Sequence, residues 1–250
     1  MAQTDWLGRE NLTSGIVRIR LNRSPVNALN ADFLMDYAAL LEELAADISV
    51  RAVILTSPFK VFSAGLDLKE AQEFDLPQQR AIVAGLNIAF LRQYAFPKPV
   101  IAAVGGAAIA GGLFFVLAAD YRIGGPKAAF GLAEVRVGAD FPIGPVEIAR
   151  AELSPHDLRR LMLGGKPIDA HAALAAGIID RIETADLAQA AMDAAADYAT
   201  IPPMTFAAVK RQIRGDVIEK IEQAMQNGAN APVHGWFNAE TRAAMAKMIG

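Results

Sequence analysis

The sequence contains no cysteine and only three histidines, at positions 156, 171 and 234. The lack of cysteine excludes disulfide bonds, thiol nucleophiles and thiolate metal sites. The three histidines are scattered and do not share the spacing of a zinc site, so we expect no bound metal ion. Any chemistry at a site of this chain must therefore come from other groups, such as carboxylates or the backbone.

Long apolar runs and an excess of positive charge are also missing. No apolar stretch reaches the ~20 residues that span a bilayer, and the N-terminal segment MAQTDWLGRE has neither the basic nor the apolar part of a secretory signal. The chain has 24 Lys and Arg against 27 Asp and Glu, whereas a protein that binds nucleic acid needs a basic surface. We therefore expect a cytoplasmic protein that has neither a membrane nor a nucleic acid as its partner.

Strands and helices alternate in the first part of the sequence. The whole chain of 250 residues is 53% hydrophobic, which is enough to form a large core. Apolar patterning predicts strands over residues 15–22 and 51–57. Helical periodicity follows Asn30, a predicted N-cap, and a second helix is predicted over 78–95. This alternation predicts an α/β fold with a mainly parallel sheet.

The strand signal almost disappears beyond residue 145. Ser154 is the predicted N-cap of a helix, and further helices are predicted over 203–213 and 216–228. Glu147 is predicted to face solvent on a helix of this part. A helical rear part of this length is typical of a helical cap or an oligomer-forming region.

Two glycine-bearing turns, AGL at 64–66 and AGG at 110–112, each follow a predicted strand and open a predicted helix. Helix N-termini present free N–H donors, and small residues let a ligand oxygen approach them closely. Two such turns on neighbouring strands can direct two N–H groups at one oxygen, which is an oxyanion hole. Alternatively, the glycines only permit tight turns or close helix packing. A phosphate cradle is disfavoured because GxxxxGK[ST] and GxGxxG are both absent.

Three segments carry a family resemblance, in order along the chain. They are VFSAGLDLKEA (61–71), IAAVGGAAIAGGLFFVLAADYRI (101–123) and FGLAEVRVG (130–138). Together they resemble the crotonase superfamily, the enoyl-CoA hydratase/isomerase fold, with similarity over residues 12–245. The resemblance implies a ββα-repeat spiral over residues 1–195. It also implies a helical C-terminal region over 196–250 that serves trimerisation or as a cap and is not an independent domain.

The resemblance also implies the ligand and the site. The implied substrate is an acyl thioester of coenzyme A. Because coenzyme A is part of this substrate, no separate cofactor is implied. The implied assembly is a homotrimer or hexamer. The implied oxyanion donors are the backbone N–H groups of Leu66 and Gly111, and the implied acid/base is Glu134. The further substrate-binding residues are Ala64, Gly65, Asp67, Leu68, Lys69, Phe114 and Ala133, and two possible ones are Asp140 and Val26.

Position 114 separates the members of this family. Hydratases typically carry one glutamate three residues after the second oxyanion-hole glycine and another about twenty residues further on, because hydration must activate water and also protonate carbon. Here the first position is Phe114 and the second is Glu134. A phenyl ring holds no water, whereas a single base is enough for a 1,3-proton shift. The chain thus resembles most closely the Δ3,Δ2-enoyl-CoA isomerases of fatty acid metabolism, which it also resembles in PVNAL and VILTS.

Two alternatives remain open. A hydratase or another acyl-CoA lyase would use Glu134 with Asp140 as the second carboxylate. A non-catalytic paralogue would bind acyl-CoA or RNA, but the retained Glu134 and the net charge of −3 speak against it.

Several other polar residues have expected roles. Lys69 matches a position that contacts coenzyme A phosphates in the family, and the further basic candidates for the nucleotide half are Arg18, Arg20, Arg23 and Lys98. Asp67 is expected to cap a helix and Asp120 to anchor backbone at the start of a strand. Trp236 and Phe237 are expected either to line the acyl or adenine pocket or to pack in the core.

Overall fold

A computed structural model describes residues 5–249 of the chain. It contains ten α-helices and twelve strands within these residues. The strands are β1 (Leu7–Asn11), β2 (Ile16–Leu21), β3 (Ala28–Leu29), β4 (Ala52–Thr56), β5 (Val61–Ser63), β6 (Gly65–Leu66), β7 (Val100–Val104), β8 (Ala107–Ile109), β9 (Tyr121–Gly124), β10 (Ala129–Gly131), β11 (Ile168–Asp169) and β12 (Arg181–Ile182). The helices are α1 (Ala31–Ala46), α2 (Leu68–Ala71), α3 (Leu76–Tyr94), α4 (Gly111–Leu117), α5 (Ile143–Glu152), α6 (Pro155–Gly164), α7 (Ala170–Ala175), α8 (Leu187–Ala199), α9 (Pro203–Ala224) and α10 (Thr241–Ile249).

Ten of these strands form two sheets that are built from a repeated ββα unit, and β3 and β6 pair as a separate two-stranded sheet. The larger sheet has the order β1-β2-β4-β7-β9-β12, and the smaller sheet has the order β11-β10-β8-β5. Each unit places its first strand in the larger sheet and its second in the smaller one, as β4–β5, β7–β8 and β9–β10 do. All pairings in the larger sheet are parallel except β1 with β2. This arrangement confirms the predicted α/β fold, the mainly parallel sheet and the ββα spiral with C-terminal helices.

Side-chain caps begin the helices where the sequence predicted them. Asn30 accepts the N–H of Phe33 at the start of α1, and Ser154 accepts that of Asp157 at the start of α6. Asp120 accepts the N–H of Val100 at 2.9 Å and therefore anchors the start of β7. These local signals were readable because each involves a short polar side chain beside an apolar periodic segment.

The rear part of the chain differs from its prediction in two respects. Residues 203–224 form one helix, α9, because Gly215 continues the helix instead of ending it. Glu147 is buried, not exposed, because α9 packs against α5 and brings Lys220 within 2.8 Å of its carboxylate. Helix α8, which contains residues 195 and 196, packs against β4 and β7 of the larger sheet.

Helix α4 lies in the centre of the core and fixes the geometry of the turn before it. All seven of its residues are buried. Phe114 and Phe115 pack against Phe90, with ring centroids 5.5 and 5.1 Å apart. Gly112 lies so close to β5 that a Cβ atom there would be 2.5 Å from the carbonyl oxygen of Ser63. The N-terminus of α4 is therefore held in place from both sides.

Within residues 5–249, none of the helices combines the length and the apolar character that crossing a membrane requires.

Candidate active site

The two glycine-bearing turns predicted from the sequence meet in the structure. Strand β6 begins at Gly65, whose φ of +79° is in the left-handed region that favours glycine. A Cβ atom at Gly65 would lie 2.7 Å from the Cβ of Ala110 and 3.1 Å from the backbone nitrogen of Gly111. The backbones of the two turns are thus in van der Waals contact, and a side chain at position 65 would separate them.

The backbone directions leave one N–H group free on each turn. Asp67 donates its N–H to the carbonyl of Leu29 in β3 at 2.9 Å, and successive N–H groups of a strand point to opposite sides, so that of Leu66 points away from β3. Gly111 is the first residue of α4, where the N–H has no acceptor within the helix. Ala110 precedes it as N-cap and has no side-chain oxygen to accept it. Leu66 and Gly111 can therefore each offer a donor to a ligand.

Ala110 has an unusual backbone conformation, with φ of 51° and ψ of −130°. A positive φ costs a residue with a Cβ atom about 1–3 kcal/mol, and such strain persists only where the surroundings enforce it. Here the carbonyl of Gly131 in β10 accepts the N–H of Ala110 at 2.7 Å and holds the turn. The strain sets the direction in which the next N–H, that of Gly111, points.

Both turns border an apolar cavity of about 360 Å³. Among the described residues that line it, Glu134 is the one with an acidic or basic side chain. The others are Val61, Ala64, Leu66, Leu68, Leu86, Ala107, Ile109, Ala110, Gly111, Phe114, Ala133, Val137, Ala139, Phe141, Pro142, Pro145, Trp236 and Met248. A ligand in this cavity therefore meets apolar walls, backbone dipoles and one carboxyl group.

Glu134 begins a short 3-10 turn, Glu134–Val137, directly after the small sheet. It is 8% exposed, and its Oε2 is buried without a hydrogen-bond partner among residues 5–249. Burial disfavours the charged form and raises the pKa of this carboxyl to about 8. A carboxyl with a pKa near neutrality can both accept and return a proton, which is the requirement for a general acid/base.

Phe114 occupies the sequence position at which a second carboxylate would be expected in a hydratase. Its side chain is 1% exposed and lines the cavity. The ring packs between Phe90, at 5.5 Å, and Phe141, at 6.3 Å between centroids. The cavity wall here is therefore an aromatic cluster that offers no hydrogen bond to a water molecule.

Asp140 does not line this cavity. Its Oδ1 accepts the indole N–H of Trp236 at 2.8 Å, and its side chain lies on the outer side of the 139–141 loop, in an adjacent groove. Trp236 itself lines the cavity, and so does Met248 of α10. The C-terminal helix therefore closes one wall of the site.

The structure brings together seven of the residues that the resemblance implied. Ala64, Leu66, Leu68, Gly111, Phe114, Ala133 and Glu134 line the cavity, whereas Gly65, Asp67, Lys69, Val26 and Asp140 do not. Asp67 caps α2 by accepting the N–H of Glu70, as expected, and its carboxylate lies 2.8 Å from Arg23. Val26 contributes its carbonyl, which accepts the N–H of Ala64 at 3.0 Å. Gly65 and Val26 thus fix the conformation of the first turn without lining the cavity.

Most of the basic candidates for the nucleotide half of coenzyme A are engaged within the protein. Arg18 and Arg20 both pair with Glu10, and Lys98 donates to the carbonyls of Leu44 and Asp47. Lys69 is exposed on α2, next to the first turn. It is therefore the basic candidate that stays available beside the cavity.

Sequence reasoning missed the walls that come from distant parts of the chain. Phe141 and Pro145 approach from α5 and the loop before it, Leu86 from α3 and Met248 from α10. These are ordinary apolar residues, and no local pattern distinguishes a cavity wall from a core position. The strained turn at Ala110 could have been inferred from the sequence, because small residues there precede a predicted helix that has no polar N-cap.

The fold and the site together identify a crotonase-type protein. The chain belongs to the enoyl-CoA hydratase/isomerase family, whose model matches residues 11–245. It is 33% identical over 209 residues to the probable enoyl-CoA hydratase EchA17 of Mycobacterium tuberculosis. The aligned segment covers 82% of this chain and 79% of that protein. It is 32% identical over 219 residues to the 2,3-dehydroadipyl-CoA hydratase of Escherichia coli, with 85% of this chain and 82% of that protein covered.

Solved structures of proteins named as hydratases and as isomerases are similar to this chain, and EchA3 of M. tuberculosis is named as both. Human mitochondrial Δ3,Δ2-enoyl-CoA isomerase superposes with a TM-score of 0.91 at 25% identity, covering 98% of this chain and 97% of that chain. The probable enoyl-CoA hydratase EchA3 of M. tuberculosis superposes with a TM-score of 0.83 at 27% identity, covering 89% and 94%. The overall fold therefore does not separate the two reactions, and the site residues must.

Proposed function

We propose that this protein is an enzyme that converts 3-enoyl-CoA to trans-2-enoyl-CoA. The observation that carries the proposal is the composition of the cavity, in which Glu134 is the single acidic or basic side chain among the described lining residues. Isomerisation moves one proton from C2 to C4 and consumes no water. An apolar cavity with one carboxyl group matches this requirement.

Glu134 acts as base and then as acid. Its carboxylate removes a proton from C2 of the 3-enoyl thioester, and the electron pair spreads over the conjugated system as a dienolate. The same carboxyl group returns the proton to C4, which leaves the double bond between C2 and C3. The raised pKa of Glu134, about 8, makes its carboxylate a stronger base than an ordinary glutamate and so favours removal of the C2 proton.

The free N–H groups of Leu66 and Gly111 form the oxyanion hole in this proposal. They donate to the thioester oxygen, on which negative charge develops in the dienolate. Loss of one such donor typically raises a barrier by about 3 kcal/mol, because a preorganised donor in a water-excluded site needs no reorganisation. The contact between the Gly65 and Ala110 turns supplies this preorganisation.

The proposal includes an acyl-CoA ligand and a homotrimeric or hexameric assembly. In this proposal Lys69, which is exposed beside the first turn, contacts the phosphates of coenzyme A. Helix α9 exposes Met204, Val209 and Ile213, which are 87%, 46% and 75% exposed, and these apolar side chains favour burial against another copy of the chain.

Hydration of 2-enoyl-CoA is the second candidate function, and the names of the EchA17 and dehydroadipyl-CoA relatives favour it. This reaction would need Asp140 as the second carboxylate. Asp140 lies outside the cavity and is hydrogen-bonded to Trp236, so a rearrangement of the 139–141 loop would have to precede hydration.

Substitution of Glu134 tests the proposal. Glu134→Gln keeps the shape of the side chain but cannot accept a proton, so turnover of 3-hexenoyl-CoA should fall by about 10²–10⁴-fold. Binding of saturated hexanoyl-CoA, measured by calorimetry, should stay within about threefold, because the walls and the backbone donors are unchanged.

Asp140→Asn separates the two candidates. The isomerase proposal predicts that this variant keeps most of the wild-type turnover of 3-hexenoyl-CoA. More than about a tenth of wild-type activity in Glu134→Gln, or a loss of about 10²-fold in Asp140→Asn, would contradict the proposed roles.

A further inference from the structure

A second apolar groove of about 510 Å³ lies next to the Glu134 cavity. It runs between α5, α6 and the 139–141 loop. Eight of its eleven lining residues are apolar, namely Val135, Ala139, Phe141, Val146, Pro155, Leu158, Met162 and Leu163. Leu163 is 73% exposed and Val135 46%, so the groove is an apolar surface that faces solvent.

The groove and the cavity share a wall. Ala139 and Phe141 line both of them, on opposite sides of the same loop. The 3-10 turn is divided in the same way, because Glu134 and Val137 face the cavity whereas Val135 faces the groove. This wall consists of one methyl side chain and one aromatic ring that is only half-buried. Ala139 and Phe141 are therefore the side chains that the cavity and the groove have in common.

We propose that the groove receives the distal alkyl part of a medium- or long-chain acyl group whose thioester end lies at Glu134. This inference rests on the proposed acyl-CoA site. The cavity is closed by the Phe90–Phe114 cluster on one side and by Trp236 and Met248 on another, so a longer chain requires further apolar space. The groove supplies such space directly beyond Ala139 and Phe141, which line both the groove and the cavity.

The charges at the groove favour a neutral chain end. Asp140 lies in the wall and would repel a terminal carboxylate. Of the two arginines, Arg150 already pairs with Glu147, and Arg159 is exposed to solvent. An alkyl end that contacts Leu158 and Met162 leaves these charges in contact with water and buries apolar surface.

Calorimetric binding of saturated acyl-CoAs tests the proposal without using turnover. Each buried methylene is worth about a fourfold gain in affinity, so decanoyl-CoA should bind at least about tenfold more tightly than hexanoyl-CoA. Met162→Trp fills the groove and should reduce this preference to less than about threefold while hexanoyl-CoA binding stays unchanged. His156→Trp places the same side chain on the exposed face of α6 and should keep the preference.

Three outcomes would overturn the proposal. The first is equal affinity for hexanoyl- and decanoyl-CoA in the wild-type protein, and the second is stronger binding of a ten-carbon acyl-CoA that ends in a carboxylate. The third is that Met162→Trp leaves the preference intact but changes the molar mass by light scattering, which would make the groove an interface between copies of the chain. Failure of hexanoyl-CoA to bind at all would instead contradict the proposed acyl-CoA site.

Discussion

Glu134 is a destabilising residue in the folded protein, for the same reason that it suits proton transfer. Its Oε2 is buried without a hydrogen-bond partner among residues 5–249, and no cation lines the cavity around it. Burial therefore raises its pKa from 4.5 to about 8. Between these two values the folded state holds a proton that the unfolded state has released. The free energy of unfolding consequently decreases as the pH rises through this window.

Replacement of Glu134 by glutamine removes this pH dependence. Glu134→Gln should be more stable than the wild type above about pH 5, and the difference should grow by on the order of 1 kcal/mol per pH unit and level off above about pH 8. Urea unfolding of both proteins at several pH values measures it. A difference that does not change with pH would show that Glu134 has an ordinary pKa in the folded protein.

Burial of individual charged residues was not predictable from the sequence. Glu134 and Glu147 both occur in apolar surroundings along the chain, yet the first lines a cavity and the second forms ion pairs with Arg150 and Lys220. Lys220 lies on α9, far from Glu147 in the sequence, and no local pattern predicts this ion pair. The family resemblance identified Glu134, whereas the residues alone did not distinguish the two.

At the scale of elements, the two turns depend on a contact between glycine and a strained alanine. Gly65 needs both its positive φ and its missing side chain, since a Cβ there would lie 2.7 Å from the Cβ of Ala110 and 2.8 Å from the carbonyl of Ile109. Any side chain at position 65 must push the turns apart. In the proposed oxyanion hole, the N–H groups of Leu66 and Gly111 would then no longer point at one thioester oxygen.

Gly65→Ala should therefore reduce kcat by about 10²-fold or more, which is the effect of losing one oxyanion donor. Gly215→Ala is the matched control, because a Cβ there contacts only Arg211, at 3.8 Å, within α9. It should keep full activity and raise the free energy of unfolding by about 0.5–1 kcal/mol. Circular dichroism should be used to check that both variants fold. A folded Gly65→Ala protein with wild-type kcat would show that the turn serves packing alone.

Helix starts were predictable where a cap marked them, and helix ends were less so. Asn30 and Ser154 were read correctly because their side chains accept backbone N–H groups within the same segment. Two helices were predicted over 203–213 and 216–228, but the packing of α9 against α5 and α3 keeps one helix continuous through Gly215. Tertiary contacts outweigh the cost of one helical glycine, about 1 kcal/mol.

At the scale of the whole molecule, alternating strands and helices predicted the parallel sheet, and three motifs predicted the family. The walls of the cavity could not be predicted in the same way. Leu68, Leu86, Phe114 and Met248 come from four different helices, and the chain folding alone brings them together. The hydrogen bond between Trp236, which lines the cavity, and Asp140 could not be predicted from the sequence either. The apolar character of the site is thus a property of the complete fold.

This character is the basis of the central claim, that the protein isomerises and does not hydrate. The most direct test is to compare, with the wild-type protein under one set of conditions, the rate of double-bond migration in 3-hexenoyl-CoA and the rate of water addition to trans-2-hexenoyl-CoA. With Phe114 in place of a second carboxylate, isomerisation should be faster by at least about 10²-fold, the typical contribution of one general acid/base. Hydration as fast as isomerisation, or faster, would contradict the account.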